Sequence, residues 1–182
     1  MPMLEQRIQQ QFFESADLLS QAAEALSKPI ADAAQALVGC LTAGGKVMFC
    51  GTGLATTLAQ HGAALMVGHF ERERPGLAAL SVSGEMQVRA LGSPGDVLLA
   101  FSAGSPEAAL AAAVLAAQAK DMTVIALTGR DAGKLQESLG ETDVHIAVPH
   151  DRAARIHEAH TLVLHCLCDA VDLQLLGEQE PT

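Results

Sequence analysis

The chain has 182 residues, a formal net charge of −10, 49% hydrophobic residues, five phenylalanines and no tryptophan or tyrosine. A single domain is expected, large enough to bury most of its apolar surface, with Ala, Leu and Val filling the core. The acidic balance and scarce aromatics argue against direct nucleic-acid binding, which needs a basic face and stacking platforms. No apolar run approaches membrane-spanning length by inspection and the amino-terminal MPMLEQRIQQQ is polar, so no transmembrane helix or signal peptide is expected and the expected location is cytoplasmic.

Two helical patterns come first. One runs from Leu4 to Leu26 through Ile8, Phe12, Leu18 and Leu19; the other runs from Pro29, suited to a first helical position, to about Leu41 before the Gly44-Gly45 stop. The first has no strand of its own to cover, so it is expected to pack on other helices, including those of a second subunit. From Lys46 onward the pattern alternates, with strands expected at Val47–Cys50, Leu77–Ser83, Val97–Phe101, Thr123–Leu127 and Val144–Val148. Continuous apolar strands separated by helices imply a parallel sheet covered on both faces.

The clearest unit is Asp96–Ala119: an apolar strand, the small-residue loop Ser102-Ala103-Gly104-Ser105-Pro106, then an Ala/Leu-rich helix. Ser105 suits the N-cap, Pro106 the first helical position and Glu107 the first turn. Free N–H groups at such a helix start favour a phosphate. The unit recurs less cleanly at Lys46–Gln60 and Met122–Lys134. The interval from Leu80 to Val97 is short for a crossover, which takes about a dozen residues or more, and Met86–Leu91 reads as a remnant helix. The last helix is expected from Asp151 to Leu176. The cysteines Cys40, Cys50, Cys166 and Cys168 form no CxxC and read as reduced, buried thiols.

Gly51-Thr52-Gly53 follows a strand and opens a helix, but the third glycine of a dinucleotide fingerprint and its later acidic residue are missing. There is no P-loop lysine either. The segment reads equally as a tight turn or as an anion site.

The segments CGTGLATTLAQH, VLLAFSAGSPEA, VIALTGRDAGKL and PHDRAARIHEAHTLVLHCLCDAVD resemble the SIS (sugar isomerase) family, in particular its phosphoheptose isomerase branch and that branch's non-catalytic DnaA initiator-associating relatives. The resemblance implies an α/β, three-layer SIS sandwich: a five-stranded parallel sheet with helices on both faces and an N-terminal helical pair. It implies a single domain over residues 1–182, with 1–44 for oligomer packing and 45–182 as the α/β core, and a homotetramer with phosphosugar sites between subunits.

Carried over by residue, the resemblance implies phosphosugar binding by Gly51, Thr52, Gly53, Ser102 and Ser105. Ala103, Gly104 and Glu107 stand where the isomerases have phosphate ligands, and Glu107 would repel a dianion. His61 and His165 match isomerase site positions, His157 replaces a glutamine, and Leu65 stands where the isomerases have the glutamate base. Isomerisation needs a positioned base, which leucine is not. The first expectation is therefore a non-catalytic tetramer that binds a protein, the replication initiator by resemblance, through Leu175 and Leu176, with no cofactor and no contact with nucleic acid or membrane. The alternative is a phosphosugar isomerase with a rebuilt site of His61, His157 and His165, which could also hold zinc as a three-histidine set. A phosphosugar sensor is the third possibility.

Overall fold

The computed structural model describes residues 2–104 and 108–178. Its centre is a five-stranded parallel sheet of β1 (Val47–Gly51), β2 (Ala79–Val82), β3 (Val97–Phe101), β4 (Thr123–Thr128) and β5 (Val144–Ala147), in the order β2-β1-β3-β4-β5. Strand positions agree with expectation to within two residues at each end. The period-two geometry of a strand sorts its side chains between two cores. Phe49, Leu99, Phe101, Ile125 and Leu127 enter one, and Met48, Leu98, Ala100, Val124 and Ala126 enter the other. Both faces are covered, which is why β1 and β3 read as unbroken apolar runs.

The first core is roofed by α1 (Pro2–Thr42), α2 (Thr56–Val67) and α6 (Ala153–Leu176), the second by α3 (Glu85–Leu91), α4 (Ala108–Gln118) and α5 (Gly133–Ser138). Gly62 lets α2 lie close on β1, because a Cβ there would press into the Phe49 ring at 2.6 Å. The short interval is indeed a reduced crossover. The seven residues of α3 carry the chain from the edge strand β2 across β1 to β3.

The N-terminal helical pair is corrected: α1 is one helix of 41 residues that continues through Pro29. Proline removes one N–H and strains the preceding turn, a cost of about 3 kcal/mol in a helix interior. Buried residues on both sides of it, Leu26, Ala33, Ala34 and Leu37, bind the two halves to a single core. Lys28 and Asp32 bridge the turn at 2.8 Å. The amino-terminal part of α1 is tied to the start of α6 through Arg155, which donates to the Gln11 carbonyl at 2.6 Å, and through Ser15, which donates to Glu158 at 2.7 Å.

By length and hydropathy α6 reaches membrane-spanning dimensions, contrary to the expectation that no segment would. Its apolar face, including Ile156, Val163, Leu164, Leu167 and Val171, is spent on the core. Cys40, Cys50 and Cys168 are buried free thiols as expected, and burial pushes Cys50 to about 11 and Cys168 to about 12. Cys166 is exposed instead.

Candidate functional site

In this strand order the chain leaves β1 toward one edge of the sheet and β3 toward the other. The crevice between their carboxyl ends is where such folds bind ligands. The register pairs Gly51 with Phe101, so the turn at Gly51-Thr52-Gly53 and the loop from Ser102 start at the same level. Gly51 is required by close approach, since a Cβ would overlap the Ala55 carbonyl, and Gly53 has φ +55°. Thr56 Oγ1 donates back to the Gly51 carbonyl at 3.2 Å, closing the turn.

Across the crevice Ser102 is 3% exposed, and its Oγ donates to the Gly104 carbonyl at 2.8 Å. The hydroxyl is thus spent on shaping its own loop. Ser105, Pro106 and Glu107, expected as cap, first helical residue and first-turn acid, lie outside the described residues. Beside Gly104 a cavity of about 200 Å³ is lined by Gly129, Arg130, His150 and Ile156. Arg130 there is paired with Asp151 at 2.9 Å and donates to the Pro149 carbonyl at 2.8 Å.

Of the expected histidines, two come together. His61 on α2 and His165 on α6 place their Nε2 atoms 3.4 Å apart, with the Phe70 ring 5.3 Å from that of His165. His157 does not join them. Eight residues along one helix amount to about 12 Å of rise, so His157 and His165 cannot share one ion within a chain. Among the described residues no three His, Cys, Asp or Glu side chains converge as metal ligands. One chain therefore does not supply the three-histidine zinc set. Leu65, one turn beyond His61, is half-buried and packs on the first core.

His160, one turn from His157 on α6, is fully buried under the end of β4. Its Nε2 lies 3.1 Å from the Thr128 carbonyl, so that nitrogen carries the proton. Burial, with the nearby His157, pushes its pKa down to about 4. Of the two residues expected to bind a partner, Leu175 is half-buried against the first core and Leu176 is 48% exposed.

In the segment Phe70–Pro75 (FERERP), whose sequence resembles the initiator-associating branch, two arginines take helix-capping roles that the sequence reading did not assign. Arg74 pairs with Asp172 at 2.5 Å, both nearly buried, and donates to the carbonyls of Leu65, Met66 and Gly68 at the end of α2. Arg72 donates to the carbonyls of Asp172 and Gly177 at the end of α6. The available signal was the alternation of charges just past a helix, since cations there satisfy the last carbonyls.

The strand order and its switch-point crevice define a doubly wound α/β fold, and the comparisons with known proteins place it in a family. The SIS domain model matches residues 11–91. Phosphoheptose isomerase of Methylibium petroleiphilum is 60% identical over 200 aligned positions, covering 100% of both chains. The DnaA initiator-associating protein of Klebsiella pneumoniae is 43% identical, covering 96% of this chain and 97% of its own. The solved phosphoheptose isomerase of Neisseria gonorrhoeae superposes with a TM-score of 0.87 at 39% identity, covering 93% of this chain and 98% of that one. The chain belongs to the SIS-domain phosphoheptose isomerase family.

Proposed function

We propose that this chain is a cytoplasmic phosphosugar isomerase of the phosphoheptose type, interconverting a ketose phosphate and an aldose phosphate. The observation that carries the reading is the His61–His165 pair, two imidazoles at 3.4 Å on the surfaces of adjacent helices. The name borne by the 60% identical relative supports it over the non-catalytic reading.

Ketose–aldose exchange takes a proton from C1 while the C2 carbonyl oxygen gains one, giving an enediol. The C1 hydroxyl then loses its proton as C2 is protonated. Adjacent imidazoles suit this chemistry, because one can accept a proton from carbon while the other donates to oxygen. The crevice between β1 and β3 would hold the phosphate on backbone N–H groups. A subunit assembly would complete the site, with His157 of this chain free to serve a neighbouring one.

A specific observation favours a second reading. Leu65 gives the position of the family's carboxylate to the hydrophobic core, and one relative is a DnaA initiator-associating protein. In that reading the chain is a non-catalytic tetramer that regulates a replication initiator through Leu176 and, less directly, Leu175.

An isomerase assay with sedoheptulose 7-phosphate, with and without added zinc, separates the two. Turnover is expected, with His61→Ala and His165→Ala each lowering kcat by about 100-fold or more, the usual size of an acid–base contribution. Absence of turnover in both conditions would sink the enzyme reading and leave the regulator.

A further inference from the structure

The loop between α2 and β2 is pinned at several points along its length. Arg74 donates to the carbonyls of Met66 and Gly68, and the Leu77 N–H donates to the Met66 carbonyl at 2.9 Å, so the chain returns to the place where α2 stops. Arg72 ties the middle of the same loop to the carbonyls of Asp172 and Gly177 at the end of α6. Phe70 lies among these anchors. It is half-buried, packs on the first core and sets its ring 5.3 Å from that of His165 at a tilt of 36°. That separation is an aromatic contact.

His165 has two ring neighbours, Phe70 and, edge-on at 5.7 Å, His61. A half-buried imidazole on a helix can turn about two side-chain bonds, and its neighbours decide which rotamers stay open. Among the described residues its one side-chain hydrogen-bonding contact is the 3.4 Å approach to His61 Nε2, so packing against Phe70 is what else fixes the ring. The loop anchors make Phe70 a fixed wall for that purpose.

We propose that Phe70 is a positioning residue for the isomerisation: its ring keeps the His165 imidazole turned so that Nε2 faces His61. The effect on turnover rests on the isomerase reading; the geometry does not. Two Nε2 atoms within hydrogen-bonding reach need one proton between them, so when both rings are neutral the acceptor ring carries its proton on Nδ1. Long-range proton–nitrogen NMR of the full chain, in chelated buffer at pH 8 where an ordinary imidazole is neutral, should show an Nδ1–H ring that His61→Ala and His165→Ala each abolish. Phe70→Leu, which keeps the core covered but withdraws the wall from the imidazole, should abolish the same signal, and Phe70→Tyr should retain it. In the isomerase assay Phe70→Leu should lower kcat about five-fold with KM unchanged, and Phe70→Tyr should restore it. In a His165→Ala background Phe70→Leu should cost nothing further, because a residue acting through another loses its effect with it. Should the parent chain show no turnover, the isomerase reading fails and the NMR comparison alone decides the role of Phe70. Absence of the Nδ1–H signal in the parent, its survival in Phe70→Leu, an undiminished kcat in that variant, or an equal loss in the His165→Ala background overturns the proposal.

Discussion

His61 and His165 lie 104 positions apart in the chain, and their ring nitrogens come within 3.4 Å because α2 and α6 pack side by side on one face of the sheet. Leu65, four residues after His61, follows the opposite logic: its side chain turns to the core and leaves the histidines as the titratable groups there. His160 shows what complete burial does to the same residue type. In the unfolded chain it titrates near 6.5; in the fold, burial holds it at about 4. Between those values the unfolded state binds more protons, so acid favours unfolding. Its contribution to stability is full above pH 6.5 and is lost as pH falls toward 4, a change of roughly 3 kcal/mol. Urea denaturation from pH 7 to 4 should show this slope, and His160→Gln, which keeps a donor for the Thr128 carbonyl, should flatten it. An identical slope in the variant would mean that other groups carry the acid sensitivity.

At the scale of elements, the FERERP segment is a double cap. Arg74 closes the end of α2 and Arg72 the end of α6, and Asp172 anchors Arg74 from the second helix. Removing one partner of a buried pair leaves the other charge uncompensated, at a cost of about 3–5 kcal/mol. Arg74→Met should therefore lose that much in urea unfolding, while Arg130→Met, whose pair with Asp151 is exposed on both sides, should lose under about 1 kcal/mol. Equal losses for the two would remove the buried pair from its structural role. The reduced crossover belongs at this scale too, since a seven-residue α3 suffices because it needs to cover only the edge of the second core.

For the whole molecule, the telling feature is α1, about 60 Å long against about 36 Å for its packing partner α6. Its outer stretch leaves Leu4, Ile8 and Phe12 exposed at 64%, 50% and 73%, one helical stripe that nothing among the described residues covers. A stripe of that kind is an association surface. Sedimentation velocity should find an assembly larger than one chain, and Ile8→Glu/Phe12→Glu should shift it to a smaller species with unchanged far-ultraviolet circular dichroism. A variant that sediments like the original would assign the assembly to another face.

Strands, their parallel sense, the last helix and the loops at Gly51 and Ser102 were legible in the sequence because each is signalled by apolar runs of strand length alternating with helices and by small residues at turns, whereas the strand order was not. The continuity of α1 through Pro29 was not, because the local rule against proline is outweighed by Leu26, Ala33 and Leu37 reaching the same core. The histidine candidates were readable as types on helices. Their division into a pair and an outlier required knowing which helix lies beside α2 and how far apart two turns of α6 place their side chains. The Arg74–Asp172 pair was invisible for the same reason: 98 residues separate its members, and only packing makes a carboxylate in an apolar helix the partner of a loop arginine. The sequence by itself determined the elements, since propensity and periodicity act over a few residues. The tertiary structure decided which side chains meet, since contact between distant segments is set by the packing of faces.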